Sequence, residues 1–108
     1  MPILSKKKTK EIKKMTQIIV KHFEPEKIIL FGSHVWGQPT KESDVDLFVI
    51  KKTNNRWRTR QAIDGAIYPR QTPVDLIVYT PKQVEKKTKD DFFIQKIIKE
   101  GAILYENK

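Results

Sequence analysis

The sequence predicts an α/β (α+β) domain, a small mixed sheet flanked by helices. Three observations carry this expectation. Short apolar runs at Lys27–Phe31, Asp44–Ile50 and Val74–Tyr79 have strand length, and glycine, proline or asparagine bounds them. Segments of helical spacing separate or flank those runs. An amphipathic stretch leads the chain, and another, with Phe93, Ile94, Ile97 and Ile98 on one stripe, approaches its end.

From Ser5 to Phe23, apolar residues at Ile12, Met15, Ile18, Ile19 and Phe23 follow helical spacing, with lysine at most positions between, and Pro25 ends the pattern. Lys27–Phe31 is a buried strand that runs into Gly32-Ser33. Ser33 is expected to cap a short turn of helix through Trp36, which Gly37 and Pro39 close, and Gln38–Ser43 forms a polar loop. Asp44–Ile50 is a strand with Val45, Leu47 and Val49 on one face. Its other face carries the two acids and Phe48.

Asn54 or Asn55 caps a basic helix over about Arg56–Ala66, and Pro69 forbids its continuation. Pro73 opens the strand Val74–Tyr79. Thr80-Pro81 marks one further helix start and Asp90 or Asp91 another, with Gly101 as the stop. A last strand is expected at Ala102–Tyr105. No repeat, low-complexity linker or boundary divides the chain, so one domain over residues 1–108 is expected. The order of the strands does not follow from the pattern.

The 108 residues contain no cysteine, which excludes a disulfide framework and a thiolate zinc site. No apolar stretch is long enough for a signal peptide or a membrane span, so the expected location is cytoplasmic. The net charge of +9 attracts polyanions, although solvated lysines account for much of it. Arg56, Arg58 and Arg60 alternate around Trp57. Only Arg56 and Arg60 share a helix face, and a solvated helix surface is the favoured reading. Lys51 and Lys52 at a strand exit are expected to face solvent.

Asp44, Asp46 and Asp75 carry the chemistry. Period two places Asp44 and Asp46 on one face of their strand, and a neighbouring strand can bring Asp75 beside them. Three such carboxylates repel one another unless cations neutralise them, and each costs stability inside an apolar strand. A pair of divalent cations supplies the compensation directly.

Gly32-Ser33, ten intervening residues, then Asp44-Val45-Asp46 at the head of a strand, followed by the later strand Pro73 to Val78, closely resembles the signature of the DNA polymerase β-like nucleotidyltransferases. The match is to their minimal nucleotidyltransferase (MNT) branch, the antitoxin half of HEPN/MNT modules, and it covers nearly the whole chain.

The resemblance implies the polymerase β-like fold and assigns the site. Gly32 and Ser33 bind the triphosphate of ATP. Asp44 and Asp46 hold two Mg²⁺ ions, roughly 3.5–4 Å apart in sites of this kind. Asp75 completes the ion near the attacking oxygen and helps remove its proton. The implied reaction is transfer of AMP to a tyrosine of a HEPN-domain toxin, which makes the chain an antitoxin in a hetero-oligomer. A non-catalytic module that neutralises the same partner by binding is the alternative, and transfer to RNA ranks behind both. In the family the short segment after Gly-Ser often carries arginines that meet phosphates. Here His34 and Trp36 stand in their places, with Gly37 retained. Histidine could donate to phosphate, whereas packing against the sheet is at least as good a reading for Trp36.

Overall fold

The computed structural model describes residues 6–37, 44–70 and 72–107. The elements, in chain order, are α1 (Lys6–Phe23), β1 (Lys27–Phe31), α2 (Ser33–Trp36), β2 (Val45–Ile50), α3 (Arg56–Ala66), β3 (Val74–Tyr79), α4 (Pro81–Lys87), α5 (Phe92–Glu100) and β4 (Ala102–Glu106). Ser5 and the expected polar loop Gln38–Ser43 lie outside the described residues.

Four strands form one sheet in the order β3-β2-β1-β4. β1 runs antiparallel to both β2 and β4, while β2 and β3 are parallel. The mixed sheet expected from the sequence is therefore present. The parallel pair needs a crossover, and α3 supplies it.

Alternation along the strands sorts the core into two layers. Ile28, Leu30, Val45, Leu47, Val49, Leu76 and Val78 pack against Ile12, Met15 and Ile19 of α1 and Ile63 of α3. Ile29, Phe31, Phe48 and Ile50 pack on the opposite face against Ile94 and Ile97 of α5. The predicted faces of β2 are observed. Each fully buried Ile or Leu in these layers contributes about 1.5–3 kcal/mol over its exposed state.

Local chemistry sets the helix ends. The Asn55 side chain accepts from the Arg58 amide, which selects it over Asn54 as the cap of α3. Thr80 and Gln83 form a reciprocal capping box with Pro81 in the first turn of α4. Asp91, not Asp90, caps α5 by accepting from the amides of Phe93 and Ile94.

One expectation is corrected. Ser33 does not cap α2, because Gly32 holds that position and Ser33 is the first helical residue. Gly32 has φ 79° and ψ −149°, a conformation nearly restricted to glycine, and its carbonyl accepts from the amides of Val35 and Trp36. The backbone turn itself starts the helix, with no side-chain cap.

Candidate active site

The site lies where β1 ends and β2 and β3 begin. Register places Asp46 opposite Phe31 across the antiparallel pair and beside Asp75 across the parallel pair. Neighbouring strands stand about 4.8 Å apart, so Asp46 and Asp75 emerge side by side on the sheet face that α5 covers further along. Asp44 immediately precedes β2 and is exposed, as is Asp75, whereas Asp46 is only partly accessible.

Gly32 completes the arrangement from β1. A Cβ built at Gly32 would fall on Oδ2 of Asp46 and stand 2.9 Å from its Cγ. The Asp46 carboxylate thus occupies the space that any larger residue at position 32 would need.

Burial pushes the Asp46 carboxyl up to about 6, and the negative charges of Asp75 and Asp44 push in the same direction. Asp75 and Asp44 therefore both act on Asp46 electrostatically. Among the described residues, however, no three His, Asp or Glu side chains form a ready-made cation cluster. The register sets Asp46 beside Asp75, and the charges of Asp44 and Asp75 act on Asp46, but the three carboxylates do not form a closed cage of oxygens.

The donor set fits a divalent cation of the magnesium type. It consists of hard carboxylate oxygens and carries surplus negative charge, which adds to burial in lifting Asp46 toward neutrality.

The residues after Ser33 differ from their sequence reading. His34 is fully buried, so its ring does not face a nucleotide from this position. Its pKa is lowered first by desolvation and then by the charge of Lys8, while the backbone and carboxylate of Asp44 oppose the shift. Among the described residues neither ring nitrogen has a hydrogen-bond partner of good geometry, so the Asp44 backbone is a close polar neighbour and not a true acceptor. Trp36 packs inward, its ring centroid 6.3 Å from that of Phe31, and the Lys96 ammonium lies 4.3 Å above it.

Two arginines expected on a solvated surface are exposed as expected and also make structural contacts. Arg60 Nε donates to the Leu76 carbonyl at 2.8 Å, and the Arg56 guanidinium sits 4.9 Å from the Tyr79 ring centroid. Both bind α3 to β3, the strand that presents Asp75. Their shared helix face was the available signal, but the identity of the facing strand was not readable from it. Sequence reading also missed the aromatic wall beside the acids. Phe93 sits on the predicted core stripe, yet it is 49% exposed and meets Phe31 edge-on at 5.7 Å. Lys51, whose amide donates to the Tyr79 carbonyl, lies at the far end of β2 from Asp46.

A mixed four-stranded sheet with a glycine turn into a short helix, set against acids on two adjacent strands, defines the polymerase β-like nucleotidyltransferase class. The family model described as Polymerase beta, Nucleotidyltransferase matches residues 13–108, and the chain belongs to that family. Among solved structures, it is similar to a Sulfolobus solfataricus protein assigned as a nucleotidyltransferase, with 16% identity and a TM-score of 0.59 over 91% of this chain and 79% of that one. It is also similar to a mutant form of the toxin-antitoxin MntA-HpeT, with 19% identity and a TM-score of 0.57 over 88% of this chain and 73% of that one. At these identities the likeness is one of fold. A search of curated proteins returned no match. No described helix is long and apolar enough to cross a membrane.

Proposed function

We propose that the chain is a Mg²⁺-dependent nucleotidyltransferase that moves AMP from ATP to a tyrosine hydroxyl of a HEPN-domain toxin, acting as a cytoplasmic antitoxin from a single domain over residues 1–108. The observation that carries this reading is the Asp46 carboxyl, pushed up to about 6 between two other carboxylates and pressed against Gly32. A group destabilised in this way is better explained by a ligand that relieves it than by a contribution to folding.

The chain's residues divide the work. Gly32 leaves the backbone open to a triphosphate, while the Ser33 hydroxyl and the amides at the head of α2 donate to its terminal phosphate oxygens. Asp44, Asp46 and Asp75 would hold the two cations, which supply neutralisation of phosphate charge and activation of the attacking oxygen. That oxygen bonds to the α-phosphorus as the bond to the bridging oxygen breaks, and pyrophosphate leaves. Asp75 takes the hydroxyl proton. The sheet order supports this division, because β3 is an edge strand and offers Asp75 to an acceptor arriving from outside. The MntA-HpeT neighbour supports a toxin as that acceptor.

The test is the intact mass of a co-purified helical partner after incubation with ATP and Mg²⁺. One added AMP per partner is expected, and none with the Asp44→Asn, Asp46→Asn double variant. If that variant still protects cells and no mass is added by the wild type, the domain is a binding module. Label appearing on RNA alone would assign the acceptor to nucleic acid.

A further inference from the structure

A second concave surface lies on the opposite layer from the acids. The first half of α1 and the connection from α3 to β3 enclose a groove of about 460 Å³. Its floor is aliphatic, formed by Met15, Ile18 and Ile67, and Tyr68 walls the side away from α1. Lys7, Lys10 and Lys14 line it from α1, with the carboxylate of Glu11 among them. Spacings of three and four residues put these lysines on one ridge, about 10 Å from first to last at the helical rise. All three are exposed, and none makes an ion pair with a described residue. Across the groove, Arg70 is held by Asp64 at 2.9 Å and stacks on the Tyr68 ring at 4.5 Å, which fixes that wall.

We propose that this groove docks an acidic amphipathic helix of a partner protein. An oily floor beside a ridge of three exposed ammonium groups, which outnumber the one carboxylate among them, Glu11, is complementary to a helix with apolar residues on one stripe and carboxylates along its flank. The lysine ridge repeats at the interval that carboxylates occupy on one edge of such a helix. Single-stranded nucleic acid fits less well. It needs ring faces for successive bases, whereas this floor is aliphatic and Arg70 already covers one face of Tyr68. A small phosphate compound fits less well too, because the lysines are strung along the groove in solvent and converge on no single point.

The groove opens at the same end of the sheet as the acids. Lys8, between two ridge lysines, acts on His34, whose neighbour is Asp44. The chain leaving Arg70 reaches Pro73, whose carbonyl accepts from the Val45 amide at the head of β2. A docked partner is thereby held beside the end of the molecule where Asp44 and Asp75 emerge. Docking itself requires no nucleotide chemistry, so it stands apart from the transferase reading.

The test uses the full chain and a fluorescein-labelled synthetic helix with leucine on one stripe and glutamate on its flank. Fluorescence anisotropy is compared with a glutamine version of the same helix and with oligouridylate of similar length. Saturable, salt-sensitive binding of the acidic helix is expected, weakened about tenfold or more in the glutamine probe and in the Lys10→Glu, Lys14→Glu variant. Lys82→Glu with Lys86→Glu makes the same charge change on α4 and should leave binding within about twofold of wild type. Circular dichroism establishes that both variants are folded. No saturable binding, equal losses in the two variants, or tighter binding of oligouridylate would each overturn the proposal. Asp46→Asn retains peptide binding if the proposal holds, so its failure and that of the transferase reading are told apart.

Discussion

The Oδ2 atom of Asp46 rests on Gly32, in the space where a side chain at position 32 would begin. That contact joins the turn proposed to face the triphosphate to the central acid. A larger residue at 32 displaces the carboxylate, and the backbone at φ 79° and ψ −149° disfavours any residue but glycine.

Gly32→Ala should therefore lower stability by about 1–3 kcal/mol, measured by urea denaturation. Part of that loss comes from the collision with Asp46. Combining Gly32→Ala with Asp46→Ala should cost less than the two single changes added together. Strict additivity would mean that the contact is not energetically real.

The pH dependence follows from two shifts of opposite sign. Asp46 is held above its ordinary 3.8, at about 6, so the folded chain binds the extra proton between those values. Its contribution favours folding below about 4 and is lost as pH rises through about 6. His34 is lowered below its ordinary 6.5, so its contribution is present above that pH and is lost as pH falls below it. The two partly cancel in the wild type. The difference in Tm between Asp46→Asn and wild type, measured in EDTA, isolates the first, and it should grow in favour of the variant from pH 4 to pH 7.

At neutral pH and without divalent cations, Asp46→Asn should be more stable than the wild type. Replacing the partly buried charge removes its desolvation and its repulsion from Asp44 and Asp75. Adding Mg²⁺ with ATP should reverse the order, since only the wild type gains the linkage term from binding. A variant that is less stable in both conditions would place Asp46 among residues kept for folding.

Arg60→Ala should cost about 1 kcal/mol, because it removes the Nε bond to Leu76 that ties α3 to the strand bearing Asp75. Arg60→Lys should not restore it. A lysine lacks the mid-chain donor, and its terminal ammonium does not reproduce the geometry. Urea midpoints of the two variants check this.

Local signals in this chain were strong where chemistry is local. Proline, glycine and capping residues mark many of the element ends, and period two assigned Val45, Leu47 and Val49 to one face and the acids with Phe48 to the other. The long-range pairings were not legible. Nothing local says that β1 is central, or that Asp46 and Asp75 are register partners, because pairing is set by how separate segments pack. Ser33 looked like a cap because serine usually is one, but the Gly32 carbonyl had already taken that role. His34 looked available to phosphate, and its four-residue helix turns it inside.

The most direct measurement is the position of bound metal in crystals grown with Mn²⁺ and a non-hydrolysable ATP analogue. The account predicts anomalous density at about 2.0–2.3 Å from carboxylate oxygens of Asp44 and Asp46, with the triphosphate lying along Gly32 and Ser33. Nucleotide bound elsewhere, or bound at Gly32 with no metal on either aspartate, would contradict it.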